Sequence, residues 1–240
     1  MFSKWKDRPE EAHWLQPEER AWLVATLHAE RANSNSRSAH TVGVWRALRD
    51  PRVLALSLIY LGTSAGLHAL GLWPPLIPRQ FGFSPLAVGW INAVPSAVAI
   101  VGMIAWARLS DRTLERTWHV VLPCVAAGLG FVWGGTTRTV VGVMLALVLM
   151  NVGVNAAKAP LWAMPTMFLS GASAAAGIAL INSIGNLGGF IGPFFIGWLK
   201  NKWGSYAGGL YVVAATLAVS AVVTLVLSRW PGQRLAVPPG

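Results

Sequence analysis

Charge is scarce in this chain. Only 12% of its 240 residues are charged, against about 25% in a typical soluble domain. With 54% hydrophobic residues, the composition is that of an integral membrane protein. Acids are scarcer than bases, 9 Asp and Glu against 19 Lys and Arg, and no acid falls inside a long apolar run. Cys124 is the single cysteine and sits in such a run, which excludes an internal disulfide and leaves no redox or metal pattern. Alternating strand-length segments are missing, which excludes a β-barrel. There is no nucleophile–His–carboxylate grouping, no Walker phosphate loop and no metal-spaced His or Cys cluster. The expectation is therefore a protein that is not an enzyme and needs no cofactor. The polar opening MFSKWKDRPEE predicts no cleavable signal peptide.

Six long apolar spans are what the chain does contain. They run at about residues 53–77, 86–107, 120–135, 140–164, 175–199 and 207–227, each long enough or nearly so for a bilayer crossing. The fold class is all-α and membrane-integral. Three regions follow: residues 1–50 as a cytoplasmic segment, 51–230 as a six-helix transmembrane bundle, and 231–240 as a cytoplasmic tail. Within the first region Pro17 to about Arg31 predicts an amphipathic helix, with Glu18 and Glu19 at its positive dipole end. NSNSRSAH (33–40) reads as a linker. Asp50-Pro51 is a helix start, Asp as cap and Pro at the first position. The formal net charge of +10 would suggest nucleic acid in a soluble protein. Here the bases flank the spans, so no nucleic-acid partner is expected. With both termini inside, Arg108, Arg112, Arg116 and Arg229 join the basic N-terminal segment in the cytoplasm, which satisfies the positive-inside bias. Arg79, Arg138, Lys200 and Lys202 are left outside, and the Lys200 pair argues locally against this orientation. The localisation expected is the cytoplasmic (plasma) membrane.

The fifth span, AAAGIALINSIGNLGGFIGPFFIGWLK, carries two overlapping small-xxx-small pairs in Gly185, Gly188, Gly189 and Gly192, which permit close helix approach. Asn182 and Asn186 lie four apart, about 40° apart around a helix. Amides are costly against lipid, so that face should meet protein or a water-filled cavity. The fourth span holds Asn151, Asn155, Lys158 and Trp162 within an arc of about 60°. Lys158 lies roughly 9 Å past the span's middle. It can snorkel to the interface or face a central cavity and attract an anion. Pro160 and Pro165 are expected to break the helix after it. In the first span Ser57, Ser64 and His68 share a face. His68 is near mid-membrane, either a buried histidine bonded to a neighbour or a substrate or proton contact. Asn92 and Ser96 beside Pro95 give a weaker signal. The link ARLSDRTLERTWH between spans two and three carries Ser110, Asp111, Arg112, Glu115 and Arg116. It serves either topology alone or a gating loop, a hydrogen-bonded corner that holds two helices.

These stretches resemble the C-terminal half of a major facilitator superfamily transporter of the anion:cation symporter group. The likeness rests on DRPEEAHWLQPEER, ALRDPRV, LWPPLI, SDRTLERTWH, APLWAMPT and INSIGNLGGFIGPFFIGWLK, in the family's order and across almost the whole chain. It implies that the six spans are one half of a twelve-helix fold and that residues 1–50 are the central loop. It also implies that an absent first half supplies an intramembrane acid and an arginine. Asn182 matches a cavity-lining position and Trp162 a motif near it. His68 stands where the family often has Tyr, and Lys158 departs from the small or aromatic residues expected there. The function implied is symport of a small organic anion, a carboxylate, with a proton or another cation. The partners implied are the lipid bilayer, that anion and cation, and an N-terminal six-helix half or a second copy. Two other readings stay open: a truncated or degenerate fragment without transport of its own, and a six-helix homo-oligomeric scaffold or channel.

Overall fold

The computed structural model describes residues 16–34, 45, 49–72, 84–169 and 171–229. Most of the expected linker, the WPPLIP end of the first span and the tail lie outside the described residues. The helices are α1 (Pro17–Ser34), α2 (Pro51–Leu72), α3 (Pro85–Thr113), α4 (Thr117–Thr136), α5 (Val140–Ala156), α6 (Lys158–Ala163), α7 (Gly171–Asn186), α8 (Gly188–Trp203) and α9 (Ala207–Ser228). A 3-10 turn, Pro165–Met167, follows α6. No strand occurs among the described residues. Six stretches are long and apolar enough to cross a membrane: α2, α3, α4, Val140–Met167, Ser173–Trp203 and α9. Helices are what a bilayer demands, because each N–H and C=O must find its partner within the segment.

Local chemistry sets the helix starts. Asp50 accepts the Arg52 N–H at 2.8 Å ahead of Pro51. Ser84 accepts the Ala87 N–H at 3.3 Å ahead of Pro85. Thr139 accepts the Gly142 N–H at 3.1 Å. Each satisfies one of the donors that a helix start leaves without an intrahelical acceptor. Helix α8 ends at Gly204, whose φ of 70° is the left-handed conformation that closes a helix at little cost for glycine.

Helix α2 is the hub, packed against α9, α7, α8 and α5. Much of its approach is backbone to backbone. A Cβ on Gly188 would collide with the Leu61 carbonyl, and one on Gly192 would stand 2.7 Å from the Ala65 carbonyl. On the opposite side Gly62 lies against Ser220 and the Thr216 carbonyl. There the Ser220 hydroxyl donates to the Ile59 carbonyl at 3.1 Å across the helix pair. Helix α4 closes on α5 in the same way, through Gly130 against Met150 and Gly153 against the Pro123 carbonyl. Leu56, Ile59, Phe131, Leu147, Met150, Leu210 and Leu217 fill the space between. Burial is uneven. Of the most apolar stretch of α2, 56% is buried, against 17% in α3 and 22% in the α7–α8 span. These two flanks are the open sides of the bundle.

Three sequence expectations shift. Helix α1 runs to Ser34, past Arg31, and so takes in the first residues of the expected linker. The fourth span breaks before Lys158 as well as after it: Ala157 separates α5 from α6, and α6 ends at Ala163, ahead of the turn at Pro165 where a break is expected. Pro160 acts backwards, since its ring excludes the carbonyl four residues earlier, at Ala156. The supposed gating loop is mostly helix. Ser110, Asp111 and Arg112 belong to the last turn of α3, and only Leu114–Arg116 link it to α4. Leu114 takes the left-handed conformation, φ 53°, which reverses the chain within three residues.

That link is tied from both helices. Arg116 Nη1 donates to Ser110 Oγ at 2.8 Å and to Asp111 Oδ1 at 2.7 Å. Ser110 Oγ donates to the Glu115 carbonyl at 3.1 Å. The Glu115 carboxylate accepts the Trp118 N–H at 2.9 and 3.0 Å and meets His119 Nδ1 at 3.1 Å. The Trp106 indole N–H donates to the His119 carbonyl at 2.9 Å, with the two rings 5.1 Å apart. Arg112 takes no part, because the next residue along α3 turns about 100° away from Asp111. Partial burial pushes the Glu115 carboxyl up, but the Trp118 N–H and the His119 side chain and N–H together outweigh it and hold it below the usual range.

Two outcomes are expected. Gly188→Ala should destabilise the detergent-purified bundle by about 1–3 kcal/mol, because the α2 backbone cannot give way. Gly197→Ala, with nothing within 4 Å of its Cβ, should not; equal melting temperatures would refute the close-contact account. For the link, a depressed folded-state pKa means stability present above the unfolded value and lost as pH falls through the folded one. Glu115→Gln should therefore lower the melting temperature at neutral pH, and the gap to the unsubstituted chain should close on acidification below the normal Glu range. A gap that is constant with pH would remove the carboxylate from the account.

Candidate functional site

The polar residues of the fourth span form one hydrogen-bonded ladder. Asn151 Nδ2 donates to the Leu147 carbonyl at 2.9 Å, and Asn155 Nδ2 to the Asn151 carbonyl at 2.9 Å. The Asn155 oxygen then accepts Lys158 Nζ at 3.0 Å. Lys158 is half-buried, and its ammonium is directed back along the helix toward the middle of the span. The lysine does not snorkel outward. No Asp or Glu of the described residues lies deeper in a span than Asp111, so the cation has no acid within the bundle to neutralise it. Trp162, one turn beyond Lys158, is also half-buried and sets its ring 5.0 Å from Tyr60, edge to face at 67°.

The facing wall comes from α2 and the α7–α8 span. Gly66 meets Val154 and Leu217, residues near the middle of their own spans, so His68, two residues on, lies near mid-bilayer. Its ring occupies the space beside Gly189, about 3.0 Å from where a Cβ would stand. His68 Nδ1 lies 2.9 Å from the Ser64 carbonyl. A carbonyl can only accept, so Nδ1 carries a proton in this contact. Asn182 donates to the Ile178 carbonyl at 3.3 Å and is half-buried, while Asn186 is exposed. The α7–α8 span is broken at Leu187, where α7 ends and α8 begins. Gly185 and Gly189, on either side of that break, make room for Tyr60 and His68 respectively.

Tyr60 is the residue that the sequence reading misses. Its ring touches both Trp162 of the fourth span and Gly185 of the fifth, and so joins the two polar stripes across α2. A lone tyrosine in an apolar run gives little signal by itself. Its position two turns before His68, on a neighbouring arc of the same helix, is the one cue available. The weaker candidates stay apart from this group. Ser57 bonds to its own backbone, as does Ser96. Asn92 donates to the Val88 carbonyl, and its buried oxygen finds no partner among the described residues. Thr216, Ser220 and Thr224 bond within α9, with the one α2 bond of Ser220 besides. Among the described residues no cluster could hold a metal ion.

The described residues thus set a half-buried ammonium, amides and an aromatic pair beside breaks in two membrane-length spans. Two proteins of Agrobacterium vitis, each named "Putative tartrate transporter", are 56% and 58% identical over 223 residues, 93% of this chain. The match covers 51% and 49% of those proteins, so the chain spans about half the length of the curated relatives it matches. A "Quinolone resistance transporter" of Acinetobacter baumannii is 35% identical over 92% of the chain and 51% of its own length. Residues 1–193 match the family model described as Major Facilitator Superfamily, and the chain belongs to that superfamily of membrane transporters.

Proposed function

We propose that the chain supplies the C-terminal six-helix half of a secondary carrier for small organic anions, carboxylates first among them, moved in symport with a proton or another cation. One observation carries this reading: the Lys158 ammonium is held toward the bilayer middle by Asn155 in a bundle whose described spans place no acid near it. Such a cation is costly in a membrane unless an anion meets it. His68, Asn151, Asn155, Trp162, Asn182 and Asn186 form the remainder of the proposed substrate surface. The names of the two Agrobacterium vitis relatives favour a tartrate-like acid. In a symporter the cation partner needs a counter-acid, and the resemblance assigns it to a first half that docks on the open flanks, α3 and α7–α8. In this arrangement residues 1–50 and 231–240 lie in the cytoplasm, both termini are inside, and the membrane is the cytoplasmic one. The corner of Ser110, Asp111, Glu115, Arg116 and His119 then sits at the cytoplasmic end and holds α3 and α4 together as the carrier changes state.

Uptake into proteoliposomes tests the proposal. The chain co-reconstituted with the first six helices of the 58% identical relative should take up labelled tartrate saturably, and faster under an inward proton or sodium gradient. Lys158→Met should raise the half-saturating concentration roughly 10- to 100-fold, the equivalent of one charged hydrogen bond. Uptake indifferent to Lys158→Met would sink the anion-site reading, and full uptake by the chain alone would favour self-assembly. Orientation has its own check. Reporters fused after Arg138 should read outside the cytoplasm and those after Arg116 inside it; the opposite pattern inverts the topology.

A further inference from the structure

Of the polar side chains on α2, only His68 is exposed; Ser57, Thr63 and Ser64 are buried. His68 stands near mid-bilayer, two residues past Gly66, which meets Val154. Two fixtures hold it there. Nδ1 lies 2.9 Å from the Ser64 carbonyl, and the ring fills the place of a side chain at Gly189. Nδ1 carries a proton in this contact whatever the charge of the ring. Nε2 has no hydrogen-bond partner among the described residues, and it is the nitrogen at which a second proton is taken up or released. A polar atom without a partner is costly against lipid, so the exposed edge of the ring has to meet water or another bundle.

The elements packed around α2 offer little else that titrates. Helices α5 and α7 carry no charged side chain, and α9 has only Tyr211, near its start. Helix α4 touches the Gly66 side of α2 through Phe131, with its His119 away at the link. Helix α8 has Lys200 and Lys202 in its last turn, about 16 Å beyond Gly189. Helix α6 has Lys158, held by Asn155. Helix α2 itself has Arg52 in its first turn and Tyr60 two turns before His68. Imidazole is the one of these groups whose ordinary charge change falls between about pH 5 and 8 in the membrane interior. Asn155 follows Val154, so Lys158 and His68 lie within roughly one helical turn of each other in depth. With no acid in the described spans, a second cation at that depth is favoured when an anion has entered. Linkage makes the preference mutual: the anion favours the proton and the proton favours the anion. We propose that His68 binds the coupling proton, so that the co-transported cation is a proton and this half of the molecule carries it, whatever acid the first half adds. This rests on the reading of the chain as half of an organic-anion carrier. Nε2 takes one proton from water on the side where the anion enters and returns it to water on the side where the anion leaves. No bond of the anion changes and no electron moves.

The test is proton entry into vesicles of the co-reconstituted carrier, with tartrate as the probe, a pH dye inside and the membrane potential clamped. In the unsubstituted chain, each unit of inward pH gradient should raise tartrate accumulation roughly tenfold for one proton per anion. The vesicle interior should acidify as tartrate enters, and a sodium gradient should do neither. His68→Gln keeps a polar side chain of similar reach but has no nitrogen that titrates. Its ratio of uptake with the proton gradient to uptake without it should fall to about one, whatever rate remains. A ratio that survives His68→Gln overturns the inference, as does an unsubstituted carrier driven by sodium and indifferent to pH. Both results leave the carrier reading standing. If the variant fails to fold or takes up nothing, the ring itself decides. With His13, His28, His40 and His119 replaced, the imidazole nitrogen resonances of the reconstituted carrier belong to His68. They should titrate with pH, and tartrate should shift that titration. A ring that does not titrate, or whose titration tartrate leaves unmoved, overturns the inference. Absence of tartrate uptake by the unsubstituted chain under every gradient removes the carrier reading, and the inference with it.

Discussion

Everything in this bundle leans on the closeness with which α2 is held by its neighbours. In lipid there is no hydrophobic gain in bringing helices together, so contact area and interhelical hydrogen bonds must do it. Gly188 and Gly192 let α8 come within backbone contact of α2 on one side, and Gly62 lets α9 do so on the other. The Ser220 bond to the Ile59 carbonyl fastens the second contact. With α2 clamped in this way its free arc is narrow. Tyr60 and His68 project from the part of it that faces the breaks in the fourth and fifth spans.

Those breaks matter for the same physical reason. A continuous helix consumes its own polar groups, whereas an interrupted one offers side chains and carbonyls at the level of the break. In the fourth span the interruption stands directly before Lys158, where Pro160 removes the bond to the Ala156 carbonyl. In the fifth it lies between Asn186 and Gly188. Both irregularities occur where polar residues gather, and both are sheltered by protein on the α2 side. The link at the far end of α3 is of another kind. There the irregular residues are only three, and salt-bridged and capping side chains satisfy them from both helices. Its rigidity comes from satisfaction of polar groups at the helix ends, and the apolar packing of the interior plays little part.

The uneven burial separates two roles. Helices α2, α4, α5 and α9 bury large side chains against one another and form the stable part. Helix α3 and the α7–α8 span keep broad faces outward. Val94, Val98, Val101 and Ile104 of α3 are exposed, as are Phe190, Phe194 and Trp198 of α8. Apolar faces of this size suit lipid or another helical bundle equally. The chain covers about half of its longer relatives, and a second bundle is consistent with that.

Much was legible from the residues in order. Six spans, the all-helical class and the transporter family follow from apolar runs of bilayer length and from motifs read along the chain. Periodicity alone puts Asn151, Asn155, Lys158 and Trp162 on one stripe, because a helix returns to the same face every three or four residues. Side-chain direction and helix interruption were not legible. Whether Lys158 reaches outward or inward depends on the Asn155 oxygen one turn behind it. Whether the α3–α4 link is loop or helix depends on where Ser110 and Arg116 find each other. Tyr60 carries no sequence signal that sets it apart, and it acquires a role only because Trp162 and Gly185 arrive on either side of it. The sequence determined which residues share a face, since that is a property of one helix. The tertiary structure decided what each face meets and which way its polar atoms turn, since those depend on partners distant in the chain.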